Sequence, residues 1–181
     1  MSVILGIDNG LRNFGWAAID DQVPGPIGGG LIETENSSAK LHLHAADDNQ
    51  RRGLELARDL AIAFHQYRPD VVAMESLTCV RSATASQGMG IAFGVVLALS
   101  RASGVRIYQY PPKDAKKRLT GYRTATKVAI EEALLGQGFD MTPWLLRSKQ
   151  GKVLKGKKEH IWDACLIGWC HWQEMMLIGK P

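Results

Sequence analysis

Apolar residues run nearly unbroken over residues 2–8, stop at Asn9-Gly10 and resume over residues 13–19, which predicts two strands joined by a tight turn. A glycine and proline cluster at 24–30 predicts a break before a third strand at 31–33, beside the second. Residues 34–43 are polar with little periodicity. Over 47–67, Leu54, Leu56, Ala57, Leu60, Ala61 and Phe64 recur at mainly helical spacing, with Arg51, Arg52, Arg58 and Asp59 turned outward. Pro69-Asp70 then punctuates, and the apolar run 71–74 predicts a strand buried on both faces that ends abruptly at Glu75. Residues 83–103, rich in alanine, glycine and aliphatics, predict a buried helix ended by Gly104. A short strand at 105–108, a stop at Pro111-Pro112 and a helix at 125–135 ended by Gly136 follow. Residues 138–158 form an irregular basic segment carrying Arg147, Lys149, Lys152, Lys155, Lys157 and Lys158, before a last apolar helix over about 159–175. The order, two or three strands and then α, β, α, β, α, α, predicts a mixed α/β fold.

Composition narrows the class. A chain of 181 residues fits one domain over 1–181, because a single core stays favourable up to roughly 250 residues. With 45% hydrophobic and 22% charged residues it matches a soluble globular protein, and no apolar stretch approaches the roughly 20 residues that span a bilayer. The start MSVILGIDNG lacks a basic leader with a long apolar run, and the three cysteines are an odd number without CxxC spacing; both predict a reducing, cytoplasmic location without a membrane partner. Net charge +4 and a pI near 9.0 favour a polyanionic partner but decide little alone. Cys165, Cys170 and His171 share one helix at spacings that do not converge, so they are expected to pack in the core rather than hold zinc.

The acids change the picture most. A carboxylate at the end of an apolar strand costs several kcal/mol to bury unless it is partnered, and Asp8 and Glu75 both sit there. If their strands are neighbours, the two charges converge at one sheet edge and repel unless a divalent cation intervenes. His160 and Asp163 lie three residues apart on the last helix, hence on one face, and complete a candidate site. Hard oxygen donors favour Mg2+, the chemistry of phosphoryl transfer; a histidine nitrogen shifts the preference towards Mn2+, or else serves as a base that orients water.

ILGIDNGLRNFGWAAID, VVAMES, GYRTATKVAI and HIWDACLIGWC resemble, in order and spacing, the RuvC family of Holliday-junction resolvases. The resemblance spans most of the chain. It implies a ribonuclease H-like fold with a central five-stranded mixed sheet and helices on both faces. It also implies a homodimer with two active sites and paired nicks in strands of like polarity. Catalytic and metal-binding roles fall on Asp8, Glu75, His160 and Asp163, with Mg2+ as cofactor and Mn2+ as a substitute. Lys116 and Lys127 stand where the family has two phosphate-contacting lysines. Arg123 replaces the second glycine of a GxG turn, adding a further DNA contact or altering the local backbone. Thr78 stands near an aromatic that some family members stack against a junction base. The basic segment looks longer than its family counterpart, so Lys152, Lys155, Lys157 and Lys158 are either DNA contacts or a solvated loop.

The resulting expectation is a structure-selective endonuclease acting on four-way or other branched DNA, with branch-migration helpers unidentified. Two alternatives stay open at this point: another ribonuclease H-like nuclease, acting on flaps or RNA:DNA hybrids, and a module that binds branched DNA without cutting. The GIDxG hairpin also opens actin-like and sugar-kinase ATPases, but no second acidic hairpin or adenosine site accompanies it. Trp162, Trp169 and Trp172, with Met175 and Met176, are expected in the core, with a dimer contact as the second reading. By family resemblance, helix 83–103 is the better candidate for the dimer interface.

Overall fold

The computed structural model describes residues 2–178 except 24, 78–81 and 149. Strand β1 (Val3–Asp8) lies at the centre of a five-stranded sheet ordered β3-β2-β1-β4-β5. It pairs antiparallel with β2 (Asn13–Asp20) and parallel with β4 (Val71–Glu75). β3 (Pro26–Glu33) extends the antiparallel side and β5 (Arg106–Tyr110) the parallel side. The mixed five-stranded sheet predicted through the family resemblance is therefore present.

Alternation along β1 explains why it is apolar throughout. Ile4 joins one core cluster, and Leu5 and Ile7 join another on the opposite face. The second cluster holds Leu56, Leu60 and Phe64 of α2 (Ala45–Tyr67) with Ala92 and Val96 of α3 (Ala83–Ser103). The first is built by α4 (Pro112–Thr120), α5 (Lys127–Gly136) and α6 (Lys155–Ile178), through Ala115, Ile130, Leu134 and a run of α6 that includes Trp162 and Trp169. A single turn, α1 (Ser38–Leu41), precedes α2.

α6 lies unusually close on the sheet. A Cβ on Gly6 would stand 2.2 Å from the Ala164 carbonyl oxygen, and one on Gly15 would stand 2.0 Å from that of His160. Bare backbone at these two positions lets α6 cross β1 and β2 in near contact, which brings its first turns over the end of β1.

Several expectations need correction. Residues 26–30 belong to β3 instead of breaking the chain, because packing from above excludes side chains there: a Cβ on Gly28 would lie 2.2 Å from the Tyr67 hydroxyl. Pro111-Pro112 does stop β5, which ends at Tyr110, but it also starts a helix not expected from the sequence pattern; Pro112 is its first residue, where a missing N–H costs nothing. The phase of α2 differs from the one its apolar spacing predicts: Leu54 is 64% exposed and Arg52 only 8%. α3 is not a buried helix: only Ala92, Val96 and Ser100 are buried along it. By length and composition it is also apolar enough to cross a membrane, although here it packs on α2 and β5. α6 begins at Lys155, so Lys155, Lys157 and Lys158 are helical and the irregular segment is shorter than predicted. That segment contains a 3-10 turn at Thr142–Trp144 and an Arg147–Val153 bridge.

Candidate active site

The parallel register of β1 and β4 sets Ile7 opposite Met74, so the next residues, Asp8 and Glu75, end adjacent strands at the same sheet edge. Ala73 packs on the α6 side of the sheet, and period-two alternation sends Glu75 to that side. Asp163 reaches the same region from α6. Two contacts order the site: His160 Nδ1 of α6 lies 2.6 Å from Asp8 Oδ2, and Lys127 Nζ of α5 donates to Asp163 Oδ2. Lys127 is the first residue of α5, and the hydroxyl of Thr126 caps that helix by accepting from the Ala129 N–H at 3.2 Å.

The electrostatics identify the strain in this arrangement. Burial, then the charges of Asp8 and Asp163, push Glu75 up to about 7, against the pull of Lys127 and Lys116. Burial also lifts Asp163 above the ordinary carboxylate range, with Asp8 adding to the shift and Lys127 opposing it. His160 is raised, first by its hydrogen bond to Asp8. Lys127 is raised as well: burial works against its charge, but Asp163 outweighs that. Burial is thus the first cause of both raised carboxylates, and the acids' mutual repulsion adds to it.

Among the described residues, no three Asp, Glu, His or Cys side chains are gathered tightly enough to enclose an ion. Asp8 is turned to His160, and Asp163 to Lys127. The donor chemistry nevertheless suits a hard divalent cation, because carboxylate oxygens arrive from β1, β4 and α6 with unrelieved mutual repulsion.

The family model described as crossover junction endodeoxyribonuclease RuvC matches residues 4–135, a span that includes Asp8, Glu75, Lys116 and Lys127. The chain belongs to the RuvC family. A RuvC crossover junction endodeoxyribonuclease from Brevibacillus brevis is 31% identical over 173 residues, covering 94% of this chain and 91% of that one. The RuvC of Caldicellulosiruptor saccharolyticus is 28% identical over 171 residues, covering 93% and 90%. Among solved structures, Thermus thermophilus RuvC in complex with a Holliday junction substrate superposes with a TM-score of 0.74 at 24% identity, covering 100% of this chain and 99% of that one. The yeast mitochondrial Holliday junction resolvase Ydc2 gives 0.62 at 20% identity, covering 99% and 82%. At these identities the structural likeness establishes the RuvC-type, ribonuclease H-like fold.

The remaining candidate residues of this RuvC-family chain are dispersed. Lys116, on α4, is near enough for its charge to act on both Glu75 and Asp163. Arg123 is ion-paired with Asp114 at 2.8 Å. Lys157 is paired with Glu33 at 2.6 Å and Lys158 with Glu131 at 2.6 Å, so neither is part of a flexible charged loop. Lys152 is exposed and Lys155 lies in the first turn of α6. Thr78 and Lys149 lie outside the described residues.

Cys165 and Cys170 are buried free thiols in the α6 core, as expected. His171 does something the sequence did not reveal. Its Nδ1 lies 2.7 Å from the Tyr110 hydroxyl, which donates to Glu174 Oε2 at 2.7 Å, while Glu174 Oε1 pairs with Arg118 at 2.6 Å. Tyr110 is the register partner of Glu75. This network fastens β5 and α4 to α6, and α4 carries Lys116. Its members come from three elements and share no motif, so no local signal announces them.

Proposed function

We propose that this junction-resolving endonuclease of the RuvC family cuts at Asp8, Glu75 and Asp163, with His160 as the proton-handling group. The observation that carries the assignment is the convergence of these acids from three elements, with Glu75 pushed up to about 7 by burial and by the other two. The three carboxylates are the groups that would hold a divalent cation, Mg2+ by donor hardness, with Mn2+ able to substitute. Bound there, such a cation would supply charge neutralisation and activation of water for phosphodiester hydrolysis.

The chain's own residues have separable tasks. His160 gives Nδ1 to Asp8, leaving Nε2 to take a proton from the attacking water. Lys127 neutralises Asp163 in the absence of substrate and is placed to turn towards a phosphodiester oxygen instead. Lys116 adds a second positive charge on the same side. Arg123 and Lys152 are peripheral DNA contacts in this reading; Lys155 joins them, whereas Lys157 and Lys158 first have to leave their carboxylate partners.

The substrate is a four-way junction, cut by a homodimer through paired nicks. The surface of α3 supports a second copy: its most apolar window is only 17% buried, and Leu97 is 46% exposed. Buried reduced cysteines are in keeping with a cytoplasmic enzyme.

The direct test incubates the protein with four-way junctions, flaps, RNA:DNA hybrids and linear duplex, each with Mg2+ or Mn2+. Symmetric paired nicks confined to junctions are expected. Preferential cutting of hybrids or flaps would reassign the substrate, and binding without cutting would reduce the protein to a junction-binding module.

A further inference from the structure

A second site borders the acids from the opposite face of the sheet. A cavity of about 570 Å3 opens between the β1–β2 turn and the first turns of α2 and α3, lined by Arg12, Arg52, Asn49, Gln87 and, at its rim, His160. Because His160 is bonded to Asp8, the cavity and the acid site share a wall. Asn9, the residue after Asp8, donates its side-chain amide to the Met89 carbonyl at 3.3 Å, and Met89 also lines the cavity.

Arg52 makes this cavity chemically specific. It is only 8% exposed, yet its hydrogen bonds go to neutral oxygens: Nε to Thr34 Oγ1 at 3.0 Å, Nη1 to Asn49 Oδ1 at 3.4 Å and Nη2 to the Thr34 carbonyl at 3.4 Å. Each terminal nitrogen carries two N–H groups, so among the described residues each keeps one unused, the fork that a phosphate accepts in two parallel bonds. Among the described residues no carboxylate lies within ion-pairing distance of Arg52 or Arg12. Burial lowers Arg52, and Arg51 and Arg12 stand close enough for their positive charges to oppose it, while Asp48 and Glu55 offset part of this from beyond ion-pairing distance. Two guanidiniums held together in one cavity, one of them buried, are stabilised by an anion between them. The amino end of α3 on the cavity wall, with no acid in its first turn, adds positive potential of the same sign.

We propose that this cavity is a phosphate subsite in which Arg52 and Arg12 hold a backbone phosphate of the cut DNA strand, next to the scissile position and across the sheet from Lys116 and Lys127. The proposal rests on the nuclease reading above and adds to it a second grip on the same strand. Two grips on either side of the acids fix the strand's path through the site, which lysines on one side alone do not.

The test measures four-way-junction binding over a salt series, with Ca2+ replacing Mg2+ so that no strand is cut. Arg12→Ala and Arg52→Met are each expected to weaken binding about tenfold or more near 0.1 M salt and to lower the slope of log affinity against log salt by about 1. Gln87→Glu, on the exposed lip, is expected to weaken binding by repulsion without touching the core. If Arg52→Met fails to fold by circular dichroism, Arg12→Ala and Gln87→Glu carry the test alone. Wild-type affinity and slope in those two folded variants overturn the subsite. If the wild type cuts junctions in the same preparation, only the subsite falls; if the wild type neither binds nor cuts them, the nuclease reading falls with it.

Discussion

Two polar clusters lie along α6, about two turns apart, and they are built on opposite terms. Around Tyr110, His171, Glu174 and Arg118, each charge and hydroxyl meets its complement within the protein, and the result ties three elements together. Around Asp8, Glu75 and Asp163, three acids are drawn into a partly buried edge, and burial, with the charges of Asp8 and Asp163 added to it, displaces Glu75 to about 7 although Lys127 and Lys116 pull the other way. The first cluster is complete without a ligand. In the reading proposed above the second is completed by a cation, which would separate a structural polar network from a reactive one on the same helix.

That contrast is most exposed to mutation at the acids. Asp8→Asn or Asp163→Asn should lower junction cleavage by about a thousandfold, since several kcal/mol of charge stabilisation depend on each and every 1.4 kcal/mol is about tenfold in rate. Junction binding should stay within a few-fold in a gel-shift or anisotropy assay. Equal loss of both would merge binding and catalysis and break the distinction. Tyr110→Phe should show the reverse. Leaving Glu174 short of a donor and His171 Nδ1 short of its hydroxyl partner should cost about 1–3 kcal/mol. Calorimetry should register this as a melting temperature lower by several degrees, while cleavage at saturating junction should barely change.

The acids also predict a pH signature. A carboxylate raised in the folded state favours folding most fully below its unfolded value of 4.5, and that contribution is lost as pH rises through about 7. The metal-free protein should therefore lose stability between pH 5 and pH 8 through Glu75. Divalent cations should restore more of it at pH 8 than at pH 6, and Glu75→Gln should flatten both trends in thermal melts. The smallest effect is expected at Lys157→Ala. It breaks a partly exposed pair with Glu33 worth at most about 1 kcal/mol, well below the cost at Tyr110.

The parts legible in the sequence were those governed by short periods. Asp8 and Glu75 could be placed because each terminates a run of buried aliphatics, and parallel neighbours bring such ends together. His160 and Asp163 could be paired because three residues on a helix are less than one turn. Phase was harder to read: a shift of helix α2 by part of a turn exchanges Leu54 for Arg52, and nothing local decides which one the core accepts. The β3 glycines read as a break because their reason for being small, Tyr67 against one face and Met141 against the other, comes from distant parts of the chain. The pairings of Lys127 with Asp163 and of Tyr110 with His171 depend on how α4, α5 and α6 dock, which no residue spacing encodes.

The most direct test of the shared acid site is a calorimetric titration of Mn2+ into the wild type and into Asp8→Asn, Glu75→Gln and Asp163→Asn, at pH 6 and pH 8. Wild-type binding that tightens from pH 6 to pH 8, and that each substitution weakens at least about tenfold, is the predicted result. Undiminished Mn2+ binding in all three variants would contradict it and move the metal, and with it the chemistry, elsewhere.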